Sequence, residues 1–576
     1  MKVLLREYLA SLREREELDA ILPDLLSELG FTVFSRPQRG TAQRGVDIAA
    51  VGVDDDGERK VFLFSVKQGD LTRQDWDGTA QGLRSSLNEI RDVYIRNRIP
   101  ARYRDLKVVI CLAFGGDVQE QVRDQLAGYI QENTTERISF DEWNGDTIAG
   151  LVLKGILREE LLPQSMRSSF QKAVAMVDEP DVAVLHFARL ARALREAGSK
   201  SLKARVRTGR QLNICLWILF VWARDAGNLE AAYRASELAV LSAWELLRPT
   251  IDSKSKEHRA LAEVLLQVIK LHLTIVSEFL EGKVLPHAGI RHGLSLSIGA
   301  QSALDVNLAL FETLGRIGLA GLWIHWLGAR GDKDTTAVAR PGIIRFAEAG
   351  LALIANNPAL CLPITDHQSA QLALFLQLWL VSELPPNDIA AWLQGMVGRL
   401  DFTVRTQGHY PCVFSDYRDL AEHPRRQTEE YFQEATAGSS LIPLLAAWLH
   451  ALGEQPSVQV LKRLVQEKLS HCNLQLWMPD LASEDELYVR EEGHGCALSN
   501  LSLESGAQAL IDTIREACRR DKAFAALSAV KTGYWPLVLL ACRHQGLPIP
   551  PQFWIDALAP EATGEEGAEL AVPAEP

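Results

Sequence analysis

At 576 residues the chain is too long for one compact core, so two to four domains are expected. An apolar content of 47% with 23% charged residues excludes the disordered and fibrous classes. A net charge of −13 excludes a protein coated for nucleic acid, although screening confines each charge to about 8–10 Å and leaves local binding open.

In chain order, residues 14–29 form an amphipathic helix, with Leu18, Ile21, Leu22, Leu25, Leu26 and Leu29 at helical spacing and Gly30 as its stop. Three short strands follow: Phe31-Thr32-Val33-Phe34, the step Gly45-Val46-Asp47-Ile48, and the apolar run from Val61 to Val66 that ends at Lys67-Gln68. The turn Asp54-Asp55-Asp56-Gly57 folds the third strand back on the second. Residues 75–94 read as a second helix, 106–114 as a central strand closed by Gly115-Gly116, and 118–131 as a third helix. A short strand at 138–140 and a turn at 143–146 lead into a last helix from Thr147. The order α-β-β-β-α-β-α-β-α describes one α/β domain spanning residues 1–157.

The hairpin lets Asp47 and Lys67 project from one end of a small sheet. Phosphodiester hydrolysis needs neutralised phosphate oxygens, an activated water and a stabilised leaving oxygen, and Mg²⁺ held by carboxylates supplies all three. Mg²⁺ takes few oxygen ligands and keeps several waters, so Asp47, one further acid and the Val66 backbone carbonyl suffice. Lys67 then stands near the attacking water.

This arrangement resembles the PD-(D/E)xK, or restriction-endonuclease-like, nuclease superfamily, and within it the Mrr-like group with its Gly-Val-Asp turn. The resemblance covers roughly residues 14–157. It implies Asp47 as metal ligand and Lys67 as catalytic lysine, with Mg²⁺ as cofactor and Mn²⁺ as its substitute. The chain departs from the pattern at Ser65, where an acid or glutamine is usual two residues before the lysine. Some restriction enzymes of the superfamily share Ser-Val-Lys and draw the missing acid from the next helix, which points here to Asp77 first, Asp75 second, and Glu89. The family's acid on the first helix corresponds to Glu17 or Asp19, with Glu16 weaker.

From Arg84 to Lys107 the charge balance turns positive. Arg84, Arg91, Arg96, Arg98, Arg102, Arg104 and Lys107 outnumber Glu89, Asp92 and Asp105, with Tyr94 and Tyr103 between them. Such cations track a phosphate backbone, and the aromatics stack on bases. Together with Gln68 they are the expected nucleic-acid contacts; the bland alternative is a solvated helix face.

Beyond Leu161 the chain becomes helical, rich in Leu, Ala and Trp, as a solenoid-like or packed helical array. Residues 162–400 are expected as one helical domain and 401–560 as its continuation, ahead of an acidic disordered tail at 561–576. Breakers such as Arg248-Pro249, Pro341-Gly342 and Pro385-Pro386 mark connections, and eleven of the thirteen tryptophans fall here as wedges between helices. His471-Cys472 with His494-Gly495-Cys496 lacks zinc spacing, and Gly198-Ser199-Lys200-Ser201 lacks the leading glycine of a phosphate loop. Eight cysteines without a C-x-x-C pair suit a reducing cytoplasm. No signal peptide is evident, and the greasiest stretch, residues 212–223, is too short to span a membrane.

The expected function is a metal-dependent DNA endonuclease, in a bacterial defence setting, with the helical part as a sensing or assembly module that binds a partner protein or further copies of the chain. Two alternatives stay open: a decayed nuclease domain that only docks on nucleic acid or protein, and an RNase.

Overall fold

The computed structural model describes residues 6, 9, 18–36, 44–54, 56–79, 82–155, 164–300, 302–330, 333–406, 410–423, 428–490 and 493–558. Glu16, Glu17 and the tail at 561–576 lie outside the described residues. The chain forms two compact units, Met1–Ala239 with Asp252–Leu271, and Val240–Ile251 with His272–Pro576.

In the first unit, helix α1 (Asp19–Glu28) leads into β1 (Thr32–Ser35), β2 (Ile48–Val53) and β3 (Arg59–Lys67). The hairpin falls at the expected place: β2 and β3 pair antiparallel from Ile48↔Phe64 to Val53↔Arg59. Its turn closes with the Gly57 N–H donating to the Asp54 carbonyl at 2.9 Å, and Gly57 takes a left-handed φ of 79°. Lys60 donates to Asp54 at 2.7 Å and to Asp56, and these two carboxylates hold its ammonium above its usual pKa.

β4 (Val108–Phe114) runs parallel to β3, and β5 (Ile138–Trp143) parallel to β4. The sheet order is therefore β1-β2-β3-β4-β5, antiparallel in its first half and parallel in its second. All seven residues of β4 are buried, as befits a parallel strand covered on both faces. On one face Ala49, Val51, Val61, Leu63, Ile110 and Leu112 share a core with Trp76, Leu83, Leu87, Val122 and Leu126. Strand alternation puts Ser65 and Lys67 on that same face.

The expected helix over 75–94 is broken. α2 (Arg73–Asp77) stops at Gly78, α3 (Leu83–Glu89) restarts after Gly82, and a wider π-type turn, Ile90–Tyr94, continues it. Both glycines are packed tightly: a Cβ on Gly78 or Gly82 would stand 2.8 Å from the Gln74 or Trp76 carbonyl oxygen. The apolar spacing survives the break, with Leu83, Leu87 and Ile90 all buried. α4 (Glu120–Asn133) and α5 (Gly145–Gly155) complete the α/β part.

Helices α6 (Gln164–Ala175), α7 (Pro180–Gly198) and α8 (Leu202–Asp225) belong to the same unit. Gly198-Ser199-Lys200-Ser201 is simply the α7–α8 joint, where the Ser201 hydroxyl caps α8 by accepting from the Ala204 N–H. Residues 211–221, which include most of the greasiest stretch, are buried throughout. α8 is tied to α1: Arg210 donates to Glu28 at 2.7 Å and stands 3.7 Å from Asp24.

In the second unit α9 (Ala303–Ala329) packs against α10 (Lys333–Asn356) and α11 (Ser369–Ser382). Gly315, Gly318 and Gly321 let α9 touch α11, since a Cβ at each would fall 2.7, 2.8 and 2.3 Å from Gln371, Leu374 and Leu378 respectively. α9 also meets α12 (Pro536–Gln545), where Arg543 pairs with Glu312, and the Trp326 indole donates to the Gly533 carbonyl at 2.6 Å. Contacts across two hundred residues are those of a packed array; a solenoid joins only neighbouring repeats.

Pro341-Gly342 does not mark a connection, because Pro341 lies inside α10. A proline there costs about 3 kcal/mol, which close packing on α9 offsets: a Cβ on Gly328 would stand 2.7 Å from the Ala339 methyl. Residues 429–451 do not form one helix, the first, Glu429–Ala435, ending before Gly438. Asp366 accepts from the Ser440 and Leu441 N–H groups at 2.7 and 3.1 Å and so caps a new helix, Leu441–Ala451. Eight of the eleven tryptophans beyond residue 161 are buried, which suits their role as wedges. All eight cysteines are free thiols. Among the described residues one continuous helical stretch, Lys256–Ala288, is long and apolar enough to cross a bilayer by length and composition, with half of its most apolar window buried.

Candidate active site

Two left-handed residues deliver Asp47 to the sheet. Arg44 has φ 55° and Gly45 φ 77°, and the turn they make presents the Asp47 N–H to the Phe64 carbonyl at 2.8 Å. The Asp47 Oδ2 then accepts the Val66 N–H at 2.8 Å. A carboxylate is thus fixed beside the last residues of β3, where Lys67 is half-buried and Ser65 is only 2% exposed. Gly45 is required sterically as well, since a Cβ there would stand 2.2 Å from the Ser86 carbonyl oxygen of α3. Gln68, next after Lys67, is exposed at the strand end.

The remaining acids divide. Asp75 is committed to a capping box: its carboxylate accepts the Thr72 N–H at 3.2 Å and the Thr72 hydroxyl, while Asp75 N–H donates back to that hydroxyl. Asp77 is exposed at the end of α2, and Glu89 pairs with Arg44 at 3.7 Å. Asp19 stands half-buried in the first turn of α1. Among the described residues no three His, Cys, Asp or Glu side chains converge. Mg²⁺ needs only one or two carboxylates with its waters retained, so Asp47 with Asp77 or Asp19 is a donor set of suitable chemistry.

The cations of the basic segment do not gather at Lys67. A β3-to-β4 crossover between parallel strands must return the chain to the opposite end of the sheet. Arg84 lies in the first turn of α3, the helix that abuts Gly45, while Lys107 precedes β4 and pairs with Glu58 at 2.7 Å beside the start of β3. Arg102 and Arg59 both lie over the Tyr103 ring, at 4.7 and 5.8 Å, and Arg104 donates to the Ile99 carbonyl. The far group is thus about 20 Å from Lys67, the length of six strand residues. Arg91 sits between the two ends and reaches the Tyr129 hydroxyl at 3.5 Å, and Arg96 and Arg98 are exposed beyond it.

A polar network at the Lys67 end went unread in the sequence. The Asp117 N–H donates to Asp70 Oδ1 at 2.9 Å, and Arg6 donates to Asp117 at 3.1 Å while lying 3.9 Å from Asp146. Only the position of these residues just after β3, β4 and β5 signals it, strand carboxyl ends being where α/β sheets bind ligands. Elsewhere, the rejected zinc set is engaged within the protein. His471 meets the Thr436 hydroxyl at 2.8 Å, and His494 meets the Ser483 hydroxyl at 3.0 Å and the Arg490 carbonyl.

Comparison of the chain with protein-family models, curated proteins and solved structures finds no match.

Proposed function

We propose that the α/β part is a metal-dependent endonuclease that hydrolyses DNA phosphodiester bonds, with Asp47 as metal ligand and Lys67 as catalytic lysine. The observation that carries the reading is the 2.8 Å hydrogen bond from Val66 N–H to Asp47, which holds a carboxylate next to the strand end bearing Lys67. Further support is the mixed sheet with its antiparallel hairpin and parallel crossover, the order that the PD-(D/E)xK resemblance implies. A bound Mg²⁺ or Mn²⁺ would be held by Asp47 with Asp77 or Asp19 and would supply charge neutralisation and an activated water. Lys67 neutralises the non-bridging oxygens of the scissile phosphate and orients the water. Ser65, buried and uncharged, leaves the second carboxylate to a helix.

The helical part acts as the sensing or assembly module of a cytoplasmic defence effector, binding a partner or further copies of the chain. The test is incubation of the full chain with duplex DNA and with RNA, each with Mg²⁺, with Mn²⁺ and with chelator. Metal-dependent cleavage of DNA supports the reading. Cleavage of RNA alone makes the protein an RNase, and binding without cleavage makes it a docking module on a nuclease-like scaffold.

A further inference from the structure

Six exposed cations from three separate segments meet at the end of the sheet opposite Asp47 and Lys67: Arg98, Arg102, Arg104 and Lys107 from the crossover, Arg59 from β3, and Arg137 from before β5. They are knit into one surface. Arg59 and Arg102 share the Tyr103 ring, Arg137 donates to the Arg104 carbonyl, and the Val108 N–H donates to the Arg137 carbonyl at 2.8 Å. The exposed acids among them are Glu58, which Lys107 neutralises, Asp105 and Glu136. Asp54 and Asp56 are taken up by Lys60. With Lys60 counted beside the six, and Asp55 of the same turn sequence counted beside Asp54, Asp56, Glu58, Asp105 and Glu136, cations exceed acids by one here, in a chain whose net charge is −13.

We infer that this surface is a second contact for duplex DNA, gripping the phosphate backbone about 20 Å from the cleaved bond. The inference rests on the nuclease reading for the identity of its ligand. About 20 Å corresponds to roughly six base-pair steps at 3.4 Å each, a span that a stiff duplex crosses without bending. Arg84, Arg91 and Arg96 lie in sequence on the crossover that joins the two ends. Stacking on Tyr103 holds two guanidinium groups in place before a phosphate arrives, which lowers the ordering cost of binding. Backbone contacts of this kind position a duplex without reading its sequence.

The test uses the full chain carrying Asp47→Ala, so that cleavage does not interfere, and a 30-base-pair duplex of arbitrary sequence titrated at several salt concentrations. Adding Arg98→Gln, Arg102→Gln and Arg104→Gln should reduce the slope of log affinity against log salt by about 2–3, near 0.9 for each lost phosphate contact. The matching Arg→Lys triple should keep most of the slope, because a phosphate accepts a point charge. A Gln triple with the starting slope overturns the inference, as does a starting protein that does not bind the duplex at low salt. Cleavage by the protein with Asp47 intact is scored separately, so loss of the far contact and failure of the nuclease reading give different results.

Discussion

Gly45 and the Ser86 carbonyl are packed so closely that a Cβ on Gly45 would stand 2.2 Å from that oxygen, with the glycine held at φ 77°. Helix α3 is thus pressed against the turn that delivers Asp47. Gly57, at φ 79°, has nothing within 4 Å of the equivalent position. Gly57→Ala should cost about 1–2 kcal/mol from the left-handed backbone alone. Gly45→Ala should cost more and should also abolish cleavage, because either the turn or α3 must move. Thermal melts beside cleavage rates test the pair; equal losses for both variants would remove Gly45 from the positioning of Asp47.

Asp75 and Asp77 are separated by their roles. Asp75→Ala should lower stability by about 1 kcal/mol through loss of the capping box, with little change in cleavage. Asp77→Asn should leave the melt unchanged and raise the metal concentration needed for half-maximal cleavage. The reverse pattern would assign the metal to Asp75.

Asp24 should make stability pH-dependent. Its carboxyl is pushed from 3.8 up to about 6, chiefly by burial, against the lowering effects of Arg210 and Arg36. The folded state therefore binds the proton more tightly than the unfolded state. Stability falls as pH rises from about 4 to about 6 and levels off above, by up to about 3 kcal/mol from this group. Chemical denaturation of wild type and Asp24→Asn across that range isolates the contribution, since the variant should be flatter. A wild-type curve parallel to that of Asp24→Asn would show that Arg210 compensates the buried charge.

Arg210 ties α1 to α8 through Glu28 and Asp24, with its side chain 12% exposed and those of Glu28 and Asp24 at 11% and 4%. Arg210→Ala removes the nearer cation from Glu28, which keeps Arg207 at 3.6 Å, and leaves Asp24 with Gln267 and the more distant Arg36, so it should cost about 3 kcal/mol. For the same reason a fragment of residues 1–157 should melt well below one of residues 1–271. Equal melting temperatures would mean that α8 adds nothing to the α/β part.

The succession of strands and the hairpin were legible because the Asp-rich turn and the apolar run at 106–114 are local signals. The capping box was equally readable as Thr72-x-x-Asp75, and it marks Asp75 as a helix cap. The route of the basic segment was not, because only the parallel pairing of β3 with β4 sends Arg102 and Lys107 to the far end, where Arg59 and Arg137 join them. Pro341 misled for a tertiary reason: packing on α9 outweighs its local cost. At the candidate site Asp47 and Lys67 follow from the hairpin, whereas the contact between Gly45 and Ser86 joins segments forty residues apart.

The most direct measurement is plasmid cleavage with Mg²⁺ by wild type, Asp47→Asn and Lys67→Ala, with circular dichroism on each. An asparagine oxygen still accepts the Val66 N–H, so Asp47→Asn keeps the turn and loses only the charge. The account predicts folded proteins in all three cases, cleavage by wild type alone, and metal binding weakened by Asp47→Asn but spared by Lys67→Ala. Wild-type rates from either folded variant would contradict it.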